Sequence, residues 1–210
     1  MGVFTLDQCV VDDTYKTTLA KFFRAVHEQK LPRVVVDLRR NGGGNSQVTD
    51  EFLRYVDVEQ YLSFGSLVRG SSAVRAQRGQ LAKGSVTYPQ PRARNPVHED
   101  PPPFRGELLV LAGNRTFSSG TWFATVVQDN GLGKVVGEPT GGRPSCFGDI
   151  LSFTLPNSGL SYTLSFKQWL RPKPERDPAD TLAPDVAVPR TRADVATGRD
   201  SVLEWLRQKR

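Results

Sequence analysis

Leu31-Pro32-Arg33-Val34-Val35-Val36-Asp37-Leu38-Arg39-Arg40-Asn41-Gly42-Gly43-Gly44 is the stretch whose reading decides the fold. Its first half is a β-branched run, and its second half is a turn built on three glycines. A short, nearly continuous apolar run suits a strand covered on both faces, as strands of a parallel sheet are. The flanks carry helical spacing. Upstream, Tyr15, Leu19, Phe22, Phe23 and Val26 recur along one face behind Asp12 and Asp13, either of which can cap a helix. Downstream, Val48, Phe52, Leu53 and Val56 mark a second amphipathic helix.

Working outward, the same alternation continues. Val3 to Val11 reads as an opening strand, Glu107–Ala112 (ELLVLA) as a strand, Ser118–Gln128 as a helix and Lys134–Val136 as another strand. Asp149–Leu155 and Leu160–Lys167 flank Pro156-Asn157-Ser158-Gly159, a hairpin signal. Ser201–Arg207 reads as a closing helix. The pattern predicts a single α/β domain over residues 1–210. Its sheet is mostly parallel and flanked by helices, and the late β-hairpin forms an antiparallel edge. Residues 62–106 break the pattern: they are polar, Pro-rich and without period, and predict a long excursion that can shape a binding site. There are no internal repeats.

Composition narrows the function classes. With 38% hydrophobic and 24% charged residues, the chain has the balance of a globular protein. The net charge of +6 is spread along the chain rather than gathered into a stripe with interleaved aromatics, so no nucleic-acid partner is expected. No apolar run is long enough to span a membrane. The N-terminus lacks a basic region followed by an apolar stretch, so no signal peptide is read, and both export and a cytoplasmic location fit. Cys9 and Cys146 form neither a disulfide framework nor a zinc pattern, and no metal or cofactor is expected.

Two turns can carry chemistry. Each joins a buried strand to a helix, and ligands of open α/β sheets bind at the carboxyl ends of the strands. In the first, Asp37 to Gly44, the glycines let backbone N–H groups converge on a developing negative charge. In the second, Asn114-Arg115-Thr116-Phe117-Ser118-Ser119-Gly120, a serine stands at a helix N-terminus, where free N–H groups and the dipole favour negative charge. Read alone, the first turn is more simply a tight connection and the second more simply a capped helix.

Together the segments resemble the carboxyl-terminal processing (tail-specific) serine peptidases. The family's D-L-R-x-N-x-G-G motif stands as Asp37 to Gly44, its T-x-S segment as Thr116-Phe117-Ser118, and its G-E-x-T-x-G segment as Gly137-Glu138-Pro139-Thr140-Gly141-Gly142. The LPNSG turn and the PDVAV…GRDSVLEWL ending are similar to the branch without a PDZ module. The resemblance implies a crotonase-like core related to the caseinolytic protease, a peptide or protein substrate, and Ser118 as nucleophile. It also implies an oxyanion hole from the N–H groups of Ser119 and of Gly43 or Gly44, and substrate binding by strand addition after Gly137.

The sequence departs from the family at two positions. Arg143 stands where the Ser–Lys members carry their lysine, and arginine stays protonated, so it suits binding an acidic group rather than taking a proton. Thr121 stands where many relatives carry a glutamate. Candidate bases are Lys167, His98, or a group from a further segment or a partner. His27 is expected on a helix surface and Cys146 in a loop. The leading expectation is a serine-type hydrolase that cleaves peptides through an acyl-enzyme on Ser118. Two alternatives stand beside it: a non-catalytic descendant that binds a peptide or ligand, as the retinoid-binding relatives do, and acyl transfer or cyclisation. Oligomer formation is compatible with the sequence.

Overall fold

The computed structural model describes residues 1–79, 85–88, 92–94, 96–98, 100–176 and 180–208. Along the chain run β1 (Gly2–Thr5), α1 (Asp13–Glu28), β2 (Arg33–Asp37), α2 (Gln47–Leu53), β3 (Tyr61–Ser63), β4 (Gly65–Arg69) and α3 (Ser72–Arg78). There follow β5 (Ser85–Tyr88), β6 (Arg92–Arg94), β7 (Glu107–Ala112), α4 (Ser119–Asp129), β8 (Lys134–Gly137), β9 (Cys146–Thr154) and β10 (Ser161–Leu170). A 3-10 turn, Pro174–Arg176, precedes β11 (Val186–Ala187), α5 (Arg192–Thr197) and α6 (Ser201–Gln208).

The main sheet is parallel, in the order β1-β2-β7-β8-β11. Its interior strand β2 is buried on both faces, which is why its sequence does not alternate. Val34 and Val36 face one core with Leu19, Phe23, Phe52 and Phe123 from α1, α2 and α4. Val35 faces the other, with Leu109, Leu111 and Val136 on neighbouring strands and Val202 and Leu206 of α6. Asp12 caps α1 by accepting from Tyr15 N at 2.7 Å, as its position in the sequence suggests.

Two expectations need correction. The late hairpin is not an edge of the parallel sheet. Its strands β9 and β10 belong to a second, antiparallel sheet of order β5-β4-β10-β9. The partner strands come from residues 62–106, whose described residues include β4, α3, β5, β6 and most of β3. These strands are short and Ser- or Arg-rich, and the pairing of β4 with β10 spans about a hundred residues (Val68 with Lys167), so no local period reveals it. Part of the Pro-rich stretch (residues 89–91, 95 and 99) lies outside the described residues.

Candidate active site

The two turns singled out in the sequence meet at the carboxyl ends of β2 and β7. Asn41 joins them. Its side chain is fully buried, its Nδ2 donates to Leu6 O at 2.7 Å, and its Oδ1 accepts from Gly43 N at 2.8 Å and Cys9 Sγ at 3.3 Å. Its carbonyl accepts from Phe117 N at 2.9 Å, and Thr116 Oγ1 donates to Leu38 O at 2.8 Å. Asn41 is a positioning residue that sequence reasoning quoted within a motif but did not single out. The available signal was an amide side chain inside a glycine turn, where no helix follows closely enough to be capped.

Ser118 stands immediately before α4 with φ 49° and ψ −122°, a conformation costly for a residue with a Cβ. It is exposed, and its hydroxyl caps nothing. Capping, the ordinary role of a serine at this place, is therefore not its role here. The strain brings Ser118 against the glycine turn: a Cβ built on Gly43 would fall 2.6 Å from Ser118 Cβ and 3.2 Å from its Oγ. The third motif closes the other side. A Cβ on Gly142 would lie 3.2 Å from Ser118 N, and Thr140 holds that loop by donating to Gly142 O at 2.7 Å and accepting from Leu182 N at 3.0 Å.

Of the expected oxyanion donors, Gly43 has its N–H committed to Asn41 Oδ1. The N–H groups of Gly44 and Ser119 have no hydrogen-bond partner among the described residues. For Ser119 this follows from its place as the first residue of α4, where N–H groups lack an intrahelical acceptor. Ser119 Oγ donates to Gly44 O at 2.7 Å, tying the two segments together.

The candidate bases lie elsewhere. Lys167 pairs with Asp149 at 3.2 Å and sits 3.5 Å above the centre of the Trp169 ring. His98 Nδ1 is 3.1 Å from Arg54 O, past the far end of α2 from the glycine turn, about 10 Å of helix away. Arg143 follows Gly142 next to Ser118, but its guanidinium pairs with Asp180. Thr121 is fully buried and donates to Thr116 O at 3.1 Å, closing the turn before Ser118. None of these side chains hydrogen-bonds to Ser118 among the described residues. Burial pushes the Cys9 thiol up to about 11 and raises that of Cys146, so neither thiol matches a reactive nucleophile. Residues Glu138 to Ser145, where substrate was expected to add as a strand, are irregular; extended structure resumes at Cys146.

Two cavities flank this centre. One of about 290 Å3 lies between α2, α4 and the second sheet, and includes Ser46, Trp122 and Lys167 in its lining. The other, of about 420 Å3, lies under α6 and includes Arg39, Arg115, Glu138 and Asp200. No group of three or more side chains suited to a metal ion occurs among the described residues.

Comparisons with known proteins show the family and the fold. The model of Peptidase family S41 matches residues 1–188. The chain belongs to Peptidase family S41. Its fold is shared with solved structures at low identity. A candidate peptidase from Parabacteroides merdae ATCC 43184 matches with a TM-score of 0.70 and 22% identity, over 98% of this chain and 59% of that one. Mature CPAF complexed with lactacystin matches with a TM-score of 0.72 and 14% identity, over 98% and 50%. The photosystem II D1 C-terminal processing protease matches with a TM-score of 0.58 and 17% identity, over 88% and 41%. This S41 chain thus spans about half the length of the structures it matches.

Proposed function

We propose that this chain carries the nucleophile and the oxyanion site of a serine peptidase that cleaves peptide substrates through an acyl-enzyme. One observation carries the reading: an exposed, strained Ser118 faces the glycine turn beside two N–H groups, of Gly44 and Ser119, that have no acceptor among the described residues. In the reaction, Ser118 Oγ bonds to the carbonyl carbon of the scissile peptide. The carbonyl oxygen gains charge and accepts from Gly44 N–H and Ser119 N–H, with the N-terminus of α4 adding its dipole. Collapse of the intermediate breaks the C–N bond and releases the amine. Water then attacks the ester and frees Ser118.

The proton on Ser118 Oγ must pass to a base and from there to the leaving amine. Lys167, His98 and Arg143 are held by other partners, so we place the base outside the residues described, in a further segment of the protein or a partner. That this chain spans about half of its structural relatives' lengths supports this placement.

A fluorophosphonate probe with mass mapping of the adduct tests the proposal on the protein together with the segment or partner that supplies the base, with Ser118→Ala as control. An adduct on Ser118, absent from the variant, is the expected result. A folded protein that takes no adduct overturns it and favours the second reading, a peptide-binding descendant. The specific support for that reading is that Arg143 and Thr121 occupy structural bonds at the two positions where the Ser–Lys members carry chemistry.

A further inference from the structure

The cavity of about 290 Å3 is lined by residues that closely follow the proposed oxyanion donors in sequence. Ser46 and Gln47 line it two and three residues after Gly44, and Trp122 lines it one helical turn after Ser118. Its walls are aromatic. Trp122 stacks on Phe64 with ring centres 4.0 Å apart and meets Trp169 edge-on at 4.5 Å.

The polar lining is balanced in charge. Lys167 pairs with Asp149 at 3.2 Å, and Arg94 with Asp50 at 3.4 Å, while Asp50 also accepts from Tyr61 OH at 2.5 Å. Asp149 adopts φ 53° inside strand β9, and this strained residue is the one that holds Lys167. One buried hydroxyl is left over. Thr49 lines the cavity, is 4% exposed, and its hydroxyl has no hydrogen-bond partner among the described residues.

These features select an occupant. A charged side chain would add a fifth charge to two ion pairs that are already closed, and would find no free opposite charge among them. A purely apolar one would leave the Thr49 hydroxyl unmatched. A flat ring matches the Phe64, Trp122 and Trp169 surfaces. Resting on the reading of Ser118 as nucleophile, we propose that this cavity holds the side chain of the residue carrying the scissile carbonyl. We further propose that it selects a neutral aromatic ring with a hydrogen-bonding tip, tyrosine being the best match. Thr49 and the Lys167–Asp149 pair are then its specificity-determining residues.

Binding tests this without needing turnover. Acetyl-Ala-Ala-X-amides with X as Tyr, Phe, Lys or Glu are titrated calorimetrically into the Ser118→Ala protein. The tyrosine peptide is expected to bind about fivefold or more tighter than the phenylalanine peptide, the worth of about one hydrogen bond. The charged peptides should bind weaker than tyrosine by about two- to fivefold. Adding Thr49→Val should bring tyrosine down to phenylalanine and leave phenylalanine unchanged. Adding Lys167→Met should free Asp149 and make the lysine peptide the tightest of the four. A wild-type pocket that prefers Lys or Glu overturns the proposal, as does a Tyr-to-Phe ratio insensitive to Thr49→Val, or no binding of any peptide. A failed fluorophosphonate reaction alongside tyrosine-selective binding would count against the nucleophile alone.

Discussion

Among the three consecutive glycines, only two are required by geometry. Gly43 has φ +102° with Ser118 Cβ 2.6 Å from where its own Cβ would stand, and Gly44 has φ +133° with the Cys9 carbonyl oxygen at 2.2 Å. Gly42 has nothing within 4 Å and no left-handed φ. Gly43→Ala should therefore displace Ser118 and lower its fluorophosphonate labelling rate by about 100-fold or more. Gly42→Ala should label at close to the wild-type rate. Equal rates in both variants would mean that the turn does not position the serine. At this scale the sequence told much about Ser118 and the glycines, because both are punctuation residues with a mechanism. It told little about Asn41 and Cys9, which interact across 32 residues. It also did not distinguish Gly43, whose N–H is used inside the turn, from Gly44, whose N–H is not.

Among the elements, those with a local period were legible: α1, β2, β7 and α4 lie within a residue or two of their sequence-read limits. What was hidden is how the second sheet attaches. Side chains from α3 cover part of the edge of β9, with Gln77 bonding both the N–H and the C=O of Ser152 at 3.0 and 2.7 Å. That shields a strand edge that would otherwise template pairing. The end of β10 is tied to α4 by a buried ion pair. Asp129 is fully buried and takes Arg171 at 2.8 and 3.1 Å, Lys173 N at 3.1 Å and Arg176 at 3.3 Å. Arg171 and Asp129 lie 42 residues apart, and nothing in the spacing announces them. Asp129→Ala would leave the Arg171 guanidinium buried without its carboxylate. A loss of roughly 3–5 kcal/mol in denaturant unfolding is expected. A loss under about 1 kcal/mol would show that the guanidinium finds water or another acceptor. The double variant Asp129→Leu/Arg171→Met should recover much of the loss, since an apolar pair of similar size removes both charges from the interior.

For the whole molecule, the groups buried around α1 and the glycine turn decide how stability responds to alkali. Desolvation pushes the Cys9 thiol from an ordinary value of about 9 up to about 11, opposed in part by its bond to Asn41. Burial likewise raises the Tyr15 and Tyr61 phenols, with Asp50 adding to the effect at Tyr61. The sign follows from proton binding. Between pH 9 and 11 the unfolded chain has lost its thiol proton while the folded chain keeps it, so the folded state binds more protons and stability falls as pH rises. The contribution of Cys9 is fully present below about pH 9 and lost through about pH 11, and two pKa units correspond to about 2.7 kcal/mol. Urea unfolding at pH 8 and pH 11 should therefore show a steeper decline for the wild type than for Cys9→Ala, by an amount approaching that figure. The tyrosines lose their protons in the unfolded chain from about pH 10, so both proteins should share a further decline that begins there. Identical slopes from pH 8 to 11 would mean that the thiol already reaches water in the folded state. The packing that joins Cys9, Asn41 and the Gly43 carbonyl beneath Ser118 would then be looser than these contacts imply.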